Sequence, residues 1–142
     1  QTYNPYSAPA YEATSDAALV SDTEDVVLNT PTDYGNSYPI GQCTWGVKEM
    51  APWASNWWGN ANTWAINAGA QGYATGNVPV AGAIAVWDGG EYGHVAYVTD
   101  VQSDSSIQVL EANYNHQKQI NNYRGYFNPN EFMGGVTYIY PN

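Results

Sequence analysis

The sequence predicts an α+β domain, with short N-terminal helices, the first carrying a cysteine, packed on an antiparallel β-sheet. Three observations predict it. Residues 43–70 carry the spacing of short helices with one apolar stripe, whereas residues 83–140 contain apolar runs with strand-like period. Turn signals separate those runs, among them Gly89-Gly90 and the polar loop 103–106. A chain of 142 residues holds one domain with a normal core and not two.

Residues 1–36 differ from the remainder of the chain. They hold Glu12, Asp16, Asp22, Glu24, Asp25 and Asp33, no basic residue, and prolines at 5, 9 and 31 in a stretch rich in Ala, Ser and Thr. Such a segment buries too little apolar surface to offset its ordering entropy, so it is expected to be an acidic linker or flexible arm. The run Val26-Val27-Leu28 is its one candidate edge strand. The folded domain is expected over 37–142. The chain starts at Gln1 without a methionine, as expected of a mature form or an excised fragment.

Within the domain, a helix is expected from Cys43 to Ala51 and ends at Pro52, which cannot continue it. Trp45, Met50 and Ala51 are its expected core contacts. Trp53, Trp57 and Trp58 then crowd a loop. A second helix is expected over 62–70, with Asn60 as N-cap, Gly72 as the stop, and Trp64, Ala65 and Ala68 as its buried stripe. Strands are expected over 83–87, 94–101, 107–114 and 136–140. No internal repeat is present.

Charged residues make up only 11% of the chain, about half the usual share, so the polar surface comes from Asn, Gln, Ser, Thr and Tyr. A net charge of −10 with three basic residues argues against nucleic acid, because no cationic patch exists to neutralise phosphates. The same balance argues against electrostatic binding to anionic membranes, and no apolar run approaches the length of a membrane span. The 13 tyrosines and 6 tryptophans combine flat apolar faces with polar handles, which suits groove binding as well as core packing.

Cys43 is the one cysteine, so it forms no internal disulfide. Pro39 and Gly41 place a turn before it and a helix begins at it. A thiol at a helix N-terminus feels the positive end of the helix dipole, which favours thiolate. A cysteine nucleophile needs a base, and the base needs an orienting acceptor. Two histidines are available. His116 lies in a polar run and is expected in an exposed loop; His94 opens an apolar strand behind Gly93. On the following strand Ile107, Val109, Glu111 and Asn113 alternate and so share a face. Glu111 or Asn113 is then placed to accept the histidine ring N–H.

The runs Gly41-Gln42-Cys43-Thr44-Trp45, Gly93-His94-Val95-Ala96 and Glu111-Ala112-Asn113-Tyr114, in this order, resemble the CHAP family of cysteine, histidine-dependent amidohydrolases/peptidases. The likeness covers about residues 37–142, including the run 82–87. The ending Thr137-Tyr138-Ile139-Tyr140-Pro141 looks like that of secreted streptococcal cell-wall hydrolases of the PcsB type. The resemblance implies a papain-like fold and hydrolysis of amide bonds in bacterial peptidoglycan. It makes Cys43 the nucleophile, His94 the base, Glu111 the residue that orients the histidine and Asn113 a polar fourth member. Gln42, with the Cys43 backbone N–H, is the candidate oxyanion donor. Trp53, Trp57, Trp58, Trp64 and Tyr114, with Tyr123 nearby, are the candidate groove.

No cofactor is implied. Some relatives carry calcium on carboxylates around the cysteine; residues 34–45 hold none, so no metal is expected there. An endopeptidase acting on the stem or cross-bridge is favoured, with an N-acetylmuramoyl-L-alanine amidase as the alternative. A non-catalytic wall-binding or scaffold domain is the rival of a different class. A secreted, wall-associated protein is expected, delivered by a separate targeting domain or a membrane complex.

Overall fold

A computed structural model describes residues 35–142. The strand at 26–28 and all of the expected arm except residues 35 and 36 lie outside the described residues. Asn36 donates to the Trp45 carbonyl at 2.9 Å and to Glu49 at 3.0 Å, which ties the start of the domain to the first helix.

That helix, α1 (Cys43–Met50), ends where expected. The Ala51 N–H closes the last turn on the Val47 carbonyl, and Pro52 follows. Buried Lys48 donates to the Pro52 and Ala54 carbonyls at 2.7 and 2.5 Å, so a cation sits at the helix C-terminus, where the dipole favours it. Met50 and Ala51 are core residues; Trp45 is only half-buried, which corrects its expected place in the core.

The second helix begins as a 3-10 turn, Ala61–Thr63, and continues as α2 (Trp64–Ala70). Asn60 precedes the turn but makes no side-chain cap. Gly72, at φ +98°, takes the left-handed conformation that ends the segment. Trp64 and Ala68 are fully buried and Ala65 packs beside them.

Five strands form one antiparallel sheet: β1 (Thr75–Gly76), β2 (Ile84–Trp87), β3 (His94–Ser103), β4 (Ser106–Leu110) and β5 (Val136–Ile139), in the order β1-β5-β2-β3-β4. The central β2 is buried at every residue and pairs with β3 and β5, with Trp87 opposite His94. Successive side chains leave opposite faces. Ile84, Val86, Val95, Tyr97 and Ile139 therefore meet α1 and α2 in one core, while Ala85, Trp87, Ala96, Val98 and Tyr138 form a second core on the other face. The loop holding Phe127, Phe132 and Met133 covers that second core.

Two expectations change. β1 is too short to show a period and was not foreseen. The strand expected over 107–114 ends at Leu110, and Glu111 continues only as a bridge to Asn121. Asn113, Asn115 and His116 have φ of 59°, 52° and 67°, so the chain turns left-handed there, a conformation Asn tolerates. Asn113 consequently leaves the alternating face of Ile107, Val109 and Glu111.

Candidate active site

Three elements converge on Cys43. Helix α1 presents it at its first residue, β3 contributes His94 at its first residue, and the segment after β4 contributes Glu111. Two glycines permit the approach. A Cβ at Gly46 would stand 2.9 Å from Ala112 Cβ, so α1 lies directly on the segment that bears Glu111. Gly93, at φ +77°, leaves no room for a Cβ, which would meet the Asn62 nitrogen and the Trp87 carbonyl at 2.7 Å. The Asn62 N–H donates to the Tyr92 carbonyl at 2.9 Å and pins the 3-10 turn beside His94.

His94 is 6% exposed and Glu111 is fully buried. His94 Nε2 donates to Glu111 Oε1 at 2.9 Å. The other ring nitrogen, Nδ1, is left for Cys43, whose side chain hydrogen-bonds to the imidazole. Trp87 and Phe132 wall the ring, with centroids 5.9 and 5.6 Å away. Burial by itself would lower the His94 pKa. The hydrogen bonds with Cys43 and Glu111, and the charges of both, outweigh it and lift the imidazole from 6.5 to about 9.

Arg124 completes the line, and sequence reasoning missed it. Its Nε donates to Glu111 Oε2 at 2.9 Å and its Nη2 to Oε1 at 2.6 Å, a bidentate grip on a buried carboxylate. The guanidinium lies 4.0 Å from the ring centres of Phe127 and Phe132 and 4.3 Å from that of Tyr114. Burial would raise the Glu111 pKa, but Arg124 and then His94 hold it below the ordinary carboxylate value. Cys43, His94, Glu111 and Arg124 thus form a row in which each side chain is bonded to the next.

Asn113 stands apart from that row. It donates through Nδ2 to Gln42 Oε1 at 3.1 Å and accepts from Lys118 Nζ at 3.0 Å. Of the two acceptors open to the His94 ring N–H, Glu111 is the one in contact. Gln42 precedes α1 without capping it. The first helical bond runs from the Gly46 N–H to the Gln42 carbonyl, so the Cys43, Thr44 and Trp45 amides precede the hydrogen-bond ladder.

Cys43 opens onto a cavity of about 510 Å³ whose walls include Tyr38, Gln42, Asn60, Tyr92, His94 and Met133. A second cavity of about 350 Å³ continues past His94 and Asn113 to Tyr114, His116 and Phe132. The two cavities share His94, Asn113 and Met133 in their walls and together form a trough past Cys43 and His94.

The expected aromatic groove is corrected by these walls. Trp58 and Trp64 are fully buried, pack edge to face at 5.3 Å, and spend their indole N–H groups on Gln71 and the Gly59 carbonyl. Trp53 stacks on Tyr73, and Trp57, though 65% exposed, lines neither cavity. Tyr114 does line the second cavity. Tyr38 and Tyr92 were missed, although each lies within a few residues of Cys43 or His94 in sequence. Among the described residues no group of His, Cys, Asp and Glu side chains is arranged to hold a metal.

A cysteine at a helix start, bonded to a histidine on an antiparallel sheet that is in turn bonded to a buried carboxylate, defines a cysteine–histidine domain of the papain-like α+β class. The chain belongs to the CHAP domain family, whose model matches residues 33–113, more than half of its length.

It is 58% identical over 109 residues to a Streptococcus mutans protein named "Putative hydrolase", covering 75% of this chain and 52% of that one. It is 41% identical over 117 residues to the N-acetylmuramoyl-L-alanine amidase sle1 of Staphylococcus aureus, covering 79% of this chain and 35% of the relative. The 2.15 Å crystal structure of an N-acetylmuramoyl-L-alanine amidase from Staphylococcus aureus superposes with a TM-score of 0.64 at 28% identity, covering 87% of this chain and 38% of that one. The chain thus spans between about a third and a half of the relatives it matches.

Proposed function

We propose that this domain hydrolyses an amide bond of bacterial peptidoglycan through a thioester on Cys43. The row from Cys43 to Arg124, opening onto a trough, carries the reading. The Cys43 thiolate attacks the amide carbonyl carbon, and the oxyanion forms at the start of α1 between the Cys43 N–H and the Gln42 amide. His94 gives its proton to the leaving amine as the C–N bond breaks. Water then adds to the thioester, His94 takes its proton, and the carboxylic acid leaves with the thiolate restored. Glu111 holds the imidazole orientation and stabilises its charge, and Arg124 holds Glu111.

The favoured bond lies in the stem or cross-bridge peptide, as the streptococcal resemblance of the C-terminal run suggests. A second reading, cleavage of the N-acetylmuramoyl–L-alanine amide, is favoured by the names of the staphylococcal relatives. Mass spectrometry of digested muropeptides separates them, because only the amidase frees stems from intact glycan. Acid quenching during turnover should trap an acyl adduct on Cys43; products formed with no adduct and no dependence on Cys43 would sink the mechanism.

The relatives support a wall-associated, secreted setting; one of them, from Staphylococcus epidermidis, is named a secretory antigen. No described helix is long and apolar enough to cross a membrane. Bacterial walls rich in teichoic acid are anionic, so a chain of net charge −10, whose residues 37–142 carry seven acidic against three basic side chains, is not drawn to them at long range. Residues 1–36 serve in this reading as a tether to a targeting domain or membrane complex. Removal of residues 1–34, which spares the Asn36 contacts with α1, should leave the turnover of the isolated domain nearly unchanged, and a large loss would refute the tether.

A further inference from the structure

We propose that Lys118 is a positioning residue for the oxyanion donor Gln42, acting through Asn113; the proposal rests on the hydrolase reading above. The argument is one of donors and acceptors. A lysine ammonium can only donate. With Nζ at 3.0 Å, Lys118 therefore requires the oxygen of the Asn113 amide to face it. The Asn113 amino group is then turned the other way, where it donates to Gln42 at 3.1 Å. A donor arriving there requires the Gln42 oxygen, and this leaves the Gln42 amino group free beside Cys43. One exposed cation thus sets the direction of two amides that could otherwise flip. In the flipped state Gln42 would present an oxygen to the developing oxyanion.

Two further features fit this role. The Lys118 stem lies across Gly41, at φ +93°, where a Cβ would come within 3.2 Å of Lys118 Cβ, so the lysine is seated on the loop that leads to Cys43. The Gln42 side chain makes no cap to α1, so its amide is not consumed by the helix. Of the three basic residues, Lys48 is bonded to carbonyls beyond α1 and Arg124 to Glu111, which leaves Lys118 as the cation on the Gln42 side of the trough.

The test is Lys118→Met, with Lys118→Arg and Gln42→Ala, in steady-state hydrolysis of soluble peptidoglycan fragments. Loss of a whole oxyanion donor costs about 10²–10³ in kcat, and a donor left free to flip should cost about tenfold. The expected result for Lys118→Met is that loss in kcat with KM within about twofold, most of it regained in Lys118→Arg. In the Gln42→Ala background, Lys118→Met should cost less than about twofold, because its target is gone. A raised KM with unchanged kcat, or equal losses in both backgrounds, would mean that Lys118 meets substrate directly and would overturn the proposal. An activity-free arm reads the side-chain amide resonances of Gln42 and Asn113 by 15N NMR, which should shift together in Lys118→Met. A Gln42 amide that ignores the substitution overturns the relay even if peptidoglycan proves not to be the substrate, whereas an inactive parent with responsive amides counts against the hydrolase reading alone.

Discussion

Arg124→Met should be among the most damaging single substitutions in the domain, and its effect follows from the Glu111 pair. Glu111 is fully buried, and Arg124 gives it two charge-assisted bonds of 2.6 and 2.9 Å from a side chain that is only 8% exposed. Methionine fills much of the same volume among the aromatic rings but leaves a buried carboxylate with His94 alone. Removing one partner of a buried pair costs about 3–5 kcal/mol, against a typical domain stability of roughly 5–15 kcal/mol. At about 4 °C per kcal/mol the midpoint falls by roughly 12 °C or more. The loss depends on pH with a definite sign. The Glu111 pKa is lowered in the folded parent, so its contribution is present above its ordinary value of 4.5 and fades as pH falls through the folded value. The difference between parent and variant is therefore widest near neutrality and narrows in acid. Turnover should drop by on the order of 10²–10⁴, because Glu111, released from Arg124, no longer holds the imidazole in place. Urea unfolding at pH 7 and pH 4 checks the stability, and Glu111→Gln combined with Arg124→Met should recover part of it. An Arg124→Met variant within about 1 kcal/mol of the parent at pH 7 would refute the reasoning.

Further outcomes rest on the same geometry. The His94 pKa is raised to about 9, so its stabilising contribution is complete below 6.5 and is lost as pH rises through about 9; the stability gap between the parent and His94→Gln should close over that window, and turnover should fall above about pH 9. Gly46→Ala places a methyl 2.9 Å from Ala112 Cβ and should cost about 1–3 kcal/mol by denaturant unfolding. Tyr92→Ala, at a 59% exposed residue on the cavity wall, should raise KM and leave the melting midpoint in place, whereas Trp64→Ala should cost about 3–5 kcal/mol of stability. A Trp64→Ala variant with parental stability would return the tryptophans to the groove.

The sequence made much of the fold legible because its signals were local. Pro52 marked the end of α1, the continuous apolar run at 83–87 marked a strand, found at 84–87 and buried throughout, and Gly93 marked a close approach before His94. Strand period brought His94 to the face of Glu111 and Asn113 but left open which of the two accepts its ring N–H. It failed at Asn113, where a left-handed turn replaced the alternation and no periodic pattern announced it. Arg124 was invisible for a related reason. It lies in an irregular stretch held by single bridges at Asn121 and Phe127, so period could not place it opposite Glu111. One signal was available: Arg124 is the sole arginine of a strongly acidic chain and stands among Tyr123, Tyr126 and Phe127, a setting that suits a guanidinium engaged with a carboxylate and aromatic rings. The tryptophans misled because richness in aromatics says nothing about direction. Trp58 and Trp64 found indole partners inside the protein, as buried tryptophans usually do.

The central claim is that the Cys43 thiol performs the hydrolysis, and the most direct measurement is the rate at which Cys43→Ala digests purified peptidoglycan beside the parent. Cys43 is small and 8% exposed, so the variant should keep its melting midpoint within a few degrees. The account predicts soluble muropeptide products from the parent and none above blank from folded Cys43→Ala. Products released by Cys43→Ala at the parental rate would contradict it.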